Sequence, residues 1–174
     1  MAAGKTYEPI ATTTLSSDSA NITFSSITSS YTDLRLIVIV RSDRASVVDS
    51  VNIQVNSDTG ANYAATLLYG DGASAFSGSE TNVNQILSGS IPGDTSASGT
   101  FGMLIVDFFN YAGSTNKTLL VNSASVNSAT NGRAQRVVGL WRSTSAINAI
   151  KLYPIFGTVF RSGSTATLYG IKAA

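Results

Sequence analysis

Asp107 interrupts the apolar run from Met103 to Phe109. A carboxylate in such surroundings can be a buried acid with a raised pKa, fit for proton transfer. It can instead point out of a strand, or pair with one of the arginines that follow it, and the strand-like flanks favour these readings. Glycan cleavage would need a second carboxylate at a set separation, and Asp71 and Glu80 are the first partners to consider. Such a site would rest on carboxylates alone, because the chain contains no Cys and no His. That excludes disulfides, thiol nucleophiles, histidine triads and zinc sites built from Cys or His.

Other short motifs weaken on inspection. Gly70-Asp71-Gly72-Ala73-Ser74-Ala75 has dinucleotide-loop spacing, but a helix must open there to bring its N-terminus to the pyrophosphate. Phe76-Ser77-Gly78-Ser79-Glu80 follows instead, so a tight hairpin turn is expected. Asn56-Ser57-Asp58-Thr59-Gly60 resembles a calcium loop with its glycine one position early and no closing acid. A polar turn is the stronger reading; the alternative is a calcium ion held by Asp58, Asp71 and backbone carbonyls. Asp94-Thr95-Ser96 is half of an aspartic-protease motif without its second copy. No cofactor and no metal site is expected.

Two groups of residues suggest binding rather than chemistry. Tyr63, Tyr69, Trp141 and Tyr153 would make a sugar-stacking platform if exposed together, or serve the core and subunit contacts if not. Arg133, Arg136, Arg142 and Arg161, with Lys5 and Tyr7 near the N-terminus, are candidate contacts to a protein partner. Arginines on strand edges also guard against edge-to-edge pairing.

The 174 residues include only 12% charged but 43% hydrophobic side chains. The net charge of +1 argues against bulk attraction to nucleic acid or anionic lipid. The distribution is uneven. Residues 1–110 hold four basic and ten acidic side chains, a net of −6, whereas 111–174 hold seven basic and no acidic ones, a net of +7. If the two segments interleave in one sandwich, these charges intermix; if they occupy separate faces, the molecule is a dipole suited to packing against its neighbours. The N-terminus lacks the apolar stretch of a signal peptide. The longest apolar run, Leu36 to Val40, is too short for a membrane span.

The elements that must position these residues read as strands throughout. Short runs of Val, Ile, Thr, Tyr and Phe alternate with Ser, Asn, Gly and Asp clusters. Strands are expected near Tyr7–Leu15, with Pro9 marking an edge or a strand start, then Asn21–Ile27, Asp33–Arg41, Val51–Val55, Asn62–Tyr69, Val83–Ile91 and Phe101–Tyr111. Further strands follow at Lys117–Val126, Ala134–Arg142, Ile147–Tyr153 and Thr165–Ile171. Ser57–Gly78 is otherwise turn-rich. In Asp33–Arg41 both parities are apolar at the centre, which predicts a central strand covered on both sides. No helical stripe or heptad appears. The fold expected is all-β: an antiparallel β-sandwich of jelly-roll or related Greek-key topology, with residues 1–6 as an N-terminal arm and 7–174 as a single domain.

Six stretches form a recognisable set: Tyr7-Glu8-Pro9-Ile10, SSITSSYTDLRLIV (25–38), LLYGDG (67–72), FFNYAGSTNKTL (108–119), GLWRSTSAINAIKLYP (139–154) and TATLYGIK (165–172). Together the chain resembles small virion structural proteins of tailed bacteriophages, particularly those of marine and cyanobacterial phages. The resemblance implies a jelly-roll-like module on the virion, without catalytic residues to carry over. It further implies a capsid decoration (cement) protein, assembled in the host cytoplasm and carried on the particle exterior. Its partner would be the major capsid protein or another virion protein, and the chain would be a homo-oligomer, for example a trimer. Nucleic acid and membrane are not expected partners. The alternative is a tail-fibre or receptor-binding module that holds host glycan through Tyr63, Tyr69, Trp141 and Tyr153.

Overall fold

The computed structural model describes residues 6–128 and 131–172, so Lys5 and all but the last residue of the expected arm lie outside the described residues. Twelve strands and no helix occur among the described residues. They are β1 (Tyr7–Thr14), β2 (Ile22–Phe24), β3 (Asp33–Val40), β4 (Val48–Val55), β5 (Tyr63–Gly70) and β6 (Ala75–Val83). The second half comprises β7 (Ile86–Pro92), β8 (Gly102–Phe109), β9 (Lys117–Ser128), β10 (Asn131–Trp141), β11 (Ile150–Pro154) and β12 (Thr165–Ile171).

All strand pairs are antiparallel. Eight strands form one sheet in the order β1-β12-β3-β8-β9-β10-β5-β6, and four form a second in the order β2-β11-β4-β7. The chain alternates between the layers from β1 to β4. The β5–β6 and β9–β10 hairpins both join the large sheet as a wing beyond β8, with β9 and β10 packed against β7. Without these hairpins the layers reduce to β1-β12-β3-β8 against β2-β11-β4-β7, four strands facing four.

Period-two alternation explains the core. One parity of β3 (Leu34, Leu36, Val38, Val40) and of β8 (Leu104, Val106, Phe108) turns inward with Val121 and Leu168. It meets Ile22 and Phe24 of β2, Val51 and Ile53 of β4, and Ile150 and Leu152 of β11. Each such side chain contributes roughly 1.5–3 kcal/mol on burial, which suits a chain this long to fold without disulfides.

Three expectations change. The strand at Asp33–Arg41 is central, between β12 and β8, but only its inner parity is covered: Ile37 is half-buried and Ile39 is exposed. No other described element lies over the outer face of the large sheet. The stretch expected to be turn-rich up to Gly78 contains β6, which pairs with β5 from Ala75 onward. Its pattern is unreadable because almost every residue is exposed on both faces, so no burial imposes alternation. Finally, the expected strand Val83–Ile91 breaks after Val83, where the chain leaves the large sheet for the small one.

The charge asymmetry resolves toward mixing. The first and last strands are neighbours, so late cations meet early acids: Lys172 pairs with Glu8 at 3.1 Å, and Arg161 with Asp18 and Asp94 at 2.8 Å each.

The closing Leu168-Tyr169-Gly170-Ile171 has a steric cause. The Tyr31 ring lies across Gly170, where an added Cβ would sit 2.3 Å from a ring carbon. Tyr31 in turn donates from its hydroxyl to Glu8 at 3.3 Å, tying this end of the sandwich together. Gly170→Ala is expected to lower the unfolding free energy by about 1–3 kcal/mol, and most of that loss should vanish in a Tyr31→Ala background. Denaturant titration of the two single variants and the double variant measures both.

Candidate functional site

The outer face of the large sheet is the most distinctive surface of the molecule. Of the nine large apolar side chains left exposed among the described residues, seven lie on it: Tyr7, Ile39, Leu68, Met103, Phe109, Val126 and Val138. The register explains the gathering. Ile39 stands opposite Met103 and Ile37 opposite Ile105 across β3–β8, while Leu120 stands opposite Val138 across β9–β10. Strips of short polar residues bound this apolar centre, with Thr12, Thr14, Thr165 and Thr167 on β1–β12 and Ser77, Ser79 and Thr81 on β6.

Asp107 belongs to this face. It points outward and accepts hydrogen bonds from Arg35 Nε at 2.6 Å and Nη2 at 3.0 Å, a two-pronged pair between directly opposed residues. Its partner is therefore an early arginine of the neighbouring strand and not a late one. The carboxylate in turn raises the pKa of the Arg35 guanidinium. Arg35 also donates to the Tyr7 hydroxyl at 3.0 Å and lies over its ring.

The aromatic quartet is divided by burial. Tyr63 and Trp141 stack on each other inside the core, with centroids 6.5 Å apart. Trp141 Nε1 donates to Asp58 at 2.7 Å, and the Tyr63 hydroxyl bonds the Val55 backbone. Neither ring is presented to a glycan; satisfying a polar tip on an otherwise apolar ring has drawn both inward. Tyr69 and Tyr153 remain half-buried on different sheets. Tyr69 stacks on Phe76 at 4.8 Å with the Arg133 guanidinium over its ring, forming a ladder across the wing's inner face.

The arginines do not form one patch either. Arg133 and Arg136 leave β10 on opposite faces. Arg142 donates to Ala61 O and Asn82 Oδ1, and Arg161 is held by its two acids. Arg136 is exposed on the outer face and makes no polar side-chain contact among the described residues.

Asp58 and Asp71 pin loops, whereas Glu80 lies exposed on β6. Asp58 accepts from Trp141, Gly60 N and Asn62; Asp71 accepts from Ala73 N and Ser74 N in the β5–β6 turn, where Gly72 takes φ +90°. The full length of β5, about 26 Å at strand rise, separates these two acids, so they cannot share a calcium ion. No group of three or more potential metal-binding acids occurs among the described residues. The dinucleotide-like glycines occupy a hairpin, as expected, with β6 and not a helix after them.

Sequence reasoning missed the residues that organise the long connections. Arg41 is buried and donates to the carbonyls of Ala97, Asp94, Ser96 and Thr100, holding the β7–β8 loop. Asp49, fully buried, accepts from Phe156 N and Gly157 N; Asp43 accepts from Thr158 N and Val159 N. Lys117, also buried, donates to Gly113 O at 2.6 Å and to Thr115 O. Charged residues at strand ends followed by Ser/Gly-rich loops were the available signal. No family model, curated protein or solved structure matches the chain.

Two outcomes follow from these contacts. Arg41→Met should cost about 2–4 kcal/mol and speed amide exchange selectively over residues 94–100, read by hydrogen exchange with mass spectrometry. The pH profile of stability should be flat from the acid range to beyond neutrality, since no His titrates there. Below it, Asp58 is held under its ordinary 3.8 by the Trp141 and Asn62 bonds. Asp71 is held low by the Ser74 and Ala73 amides, and Asp18 by the Ser162 amide and Arg161. For Asp43, burial pushes upward but the Thr158 and Val159 bonds outweigh it. Lowered carboxylate pKa values stabilise the fold fully above 3.8, and that contribution is lost as pH falls through the folded-state values. In alkali, burial pushes Tyr63 up to about 12 and also raises Tyr111 and Tyr153. Stability therefore falls as pH climbs past 10, where the unfolded chain loses protons the folded chain keeps. Desolvation of Lys117 lowers its pKa and acts in the opposite sense, one group against three. Thermal unfolding across pH 2–11 checks both limbs.

Proposed function

We propose that this protein is a non-enzymatic virion structural protein of a tailed bacteriophage, and most concretely a capsid decoration protein that binds the major capsid protein and stabilises the head. The observation that carries the reading is the outer face of the large sheet: a broad, apolar-centred, polar-rimmed surface suited to protein contact. The strand order supports it. With the two hairpins set aside, β1-β12-β3-β8 facing β2-β11-β4-β7 is the double-sheet order of a jelly roll, an architecture found in viral capsid domains. Two of the three carboxylates considered for acid–base work support it too, because Asp107 and Asp71 are engaged in structural contacts. The six stretches that resemble phage virion proteins fall mostly on strands and on the turns between them.

Of the four arginines proposed for capsid contact, Arg136 is the one with no described polar partner, and it lies beside the apolar centre. Binding of many copies on a symmetric lattice would gain strength through effective concentration.

A second reading, a tail-fibre module that binds host glycan, is favoured by one feature: the Tyr69–Phe76–Arg133 ladder, where Phe76 remains largely exposed. Immunogold labelling of particles separates the two, with label on the head expected and label on the tail favouring the second reading. Heads stripped of the protein should lose heat stability and regain it when purified protein is added back. Failure of the purified protein to bind heads would overturn the decoration reading.

A further inference from the structure

We infer that the outer face of the large sheet is the contact through which two copies of this chain associate face to face. The inference deepens the reading of that face as adhesive, and it does not depend on where on a particle the protein acts.

The first ground is size. Eight strands at about 4.8 Å spacing and about seven residues at about 3.3 Å rise span roughly 900 Å². Stable interfaces bury about 800 Å² per partner, and the largest apolar patch on a typical monomer is about 300–600 Å². One sheet face against its copy is enough, and a smaller partner would leave much of the apolar centre wet.

Anatomy supplies the second ground. Ile39, Met103, Leu120 and Val138 lie in the middle strands, whereas Thr and Ser flank them on β6 and over the Thr12–Thr14 half of β1–β12. An apolar centre inside a polar rim is the layout of a protein interface. A membrane-binding face would instead carry a basic rim facing anionic headgroups, and Arg136 is the one cation on this face without a polar partner among the described residues.

Charge identifies the partner. The centre of the face carries one ion pair, Arg35–Asp107, already neutralised within the chain. Beyond the single cation Arg136 beside that centre, a strongly acidic or basic partner gains little from such a surface. A copy of the same face meets it without central like-charge opposition, and a two-fold axis uses one patch for both sides.

Pattern agrees with this. The central strand Asp33–Val40 has the apolar content of a strand covered on both sides, and the described monomer covers only one. The second copy supplies the missing layer.

Light scattering of the purified full chain tests the inference. Wild type should run at twice the monomer mass, and Ile39→Lys and Val138→Lys at the monomer mass. Phe156→Lys, also highly exposed but away from this face, should stay at twice the monomer mass. Should a lysine variant fail to unfold cooperatively, the milder Met103→Gln and Val138→Thr should still raise the dimer dissociation constant about tenfold. A monomeric wild type, a three-copy assembly, or lysine variants that associate unchanged would each overturn the inference. Because purified protein is used, the result stands apart from whether the protein binds phage heads.

Discussion

Four strands cannot cover eight. At about 4.8 Å per strand, the small sheet can shield only about half the width of the large one, and the rest of the molecule is organised around that mismatch. The covered half holds the core, with β3 and β8 packed against β4 and β11. Beyond it, β7 at the edge of the small sheet meets the wing, where Ile86 packs with Leu119, Val137, Tyr63 and Trp141 in the same core and small polar groups lie among them. Ser90 donates to Gln135 of β10 at 3.0 Å, while the Oγ atoms of Ser123 and Ser125 on β9 are buried without a partner among the described residues. Only β6, the outermost strand, is exposed along almost its whole length, and it is held by its pairing with β5 and by the Tyr69–Phe76–Arg133 ladder.

A chain without disulfides must fix its long connections by other means, and here it uses charge against backbone. Arg41 binds four carbonyls of one loop; Asp43 and Asp49 bind four amides of another. Charge-assisted bonds of this kind are roughly twice as strong as neutral ones. They also satisfy backbone groups that a loop packed against a sheet would otherwise leave without partners. Such use of so many of the few charged residues leaves the apolar outer face with little charge of its own.

Much of this was legible in the sequence, and the rest was hidden for physical reasons. Alternation along Asp33–Arg41, Phe101–Tyr111 and Thr165–Ile171 gave strands because burial on one face imposes period two. The edge position of the first strand followed from Pro9. β6 was invisible because exposure on both faces removes the constraint that writes a pattern. The aromatic quartet misled because Tyr and Trp suit a wet surface and a satisfied core equally well; only the partners, Asp58 and the Val55 backbone, decide. Asp107 does point outward, but the late arginine considered as its partner is not the one it meets: Arg35 lies 72 positions earlier in the chain, a separation that local pattern cannot bridge. The apolar outer parity of β3 was readable, but what it meant depended on whether any other segment of the chain would cover it.

The sheet edges show which surfaces are closed to partners. β1 carries Pro9 and a register shift at Ile10, so its outer rim is broken. On β6, Asn82 is skipped in the pairing with β5 and takes φ +55°, and Glu80 adds a charge beside it. β2 is three residues long, and β7 shifts register at Ser88. A bulge, a proline, a charge or simple shortness thus interrupts every edge of both sheets, and these are the devices by which β-proteins prevent strand addition. No comparable device guards the large outer face: among the described residues no lysine stands on it, Arg136 is its one cation without a polar partner, and its one ion pair is self-contained. Edges closed against pairing and a face left apolar direct contact onto the face, where side chains rather than backbone determine the fit.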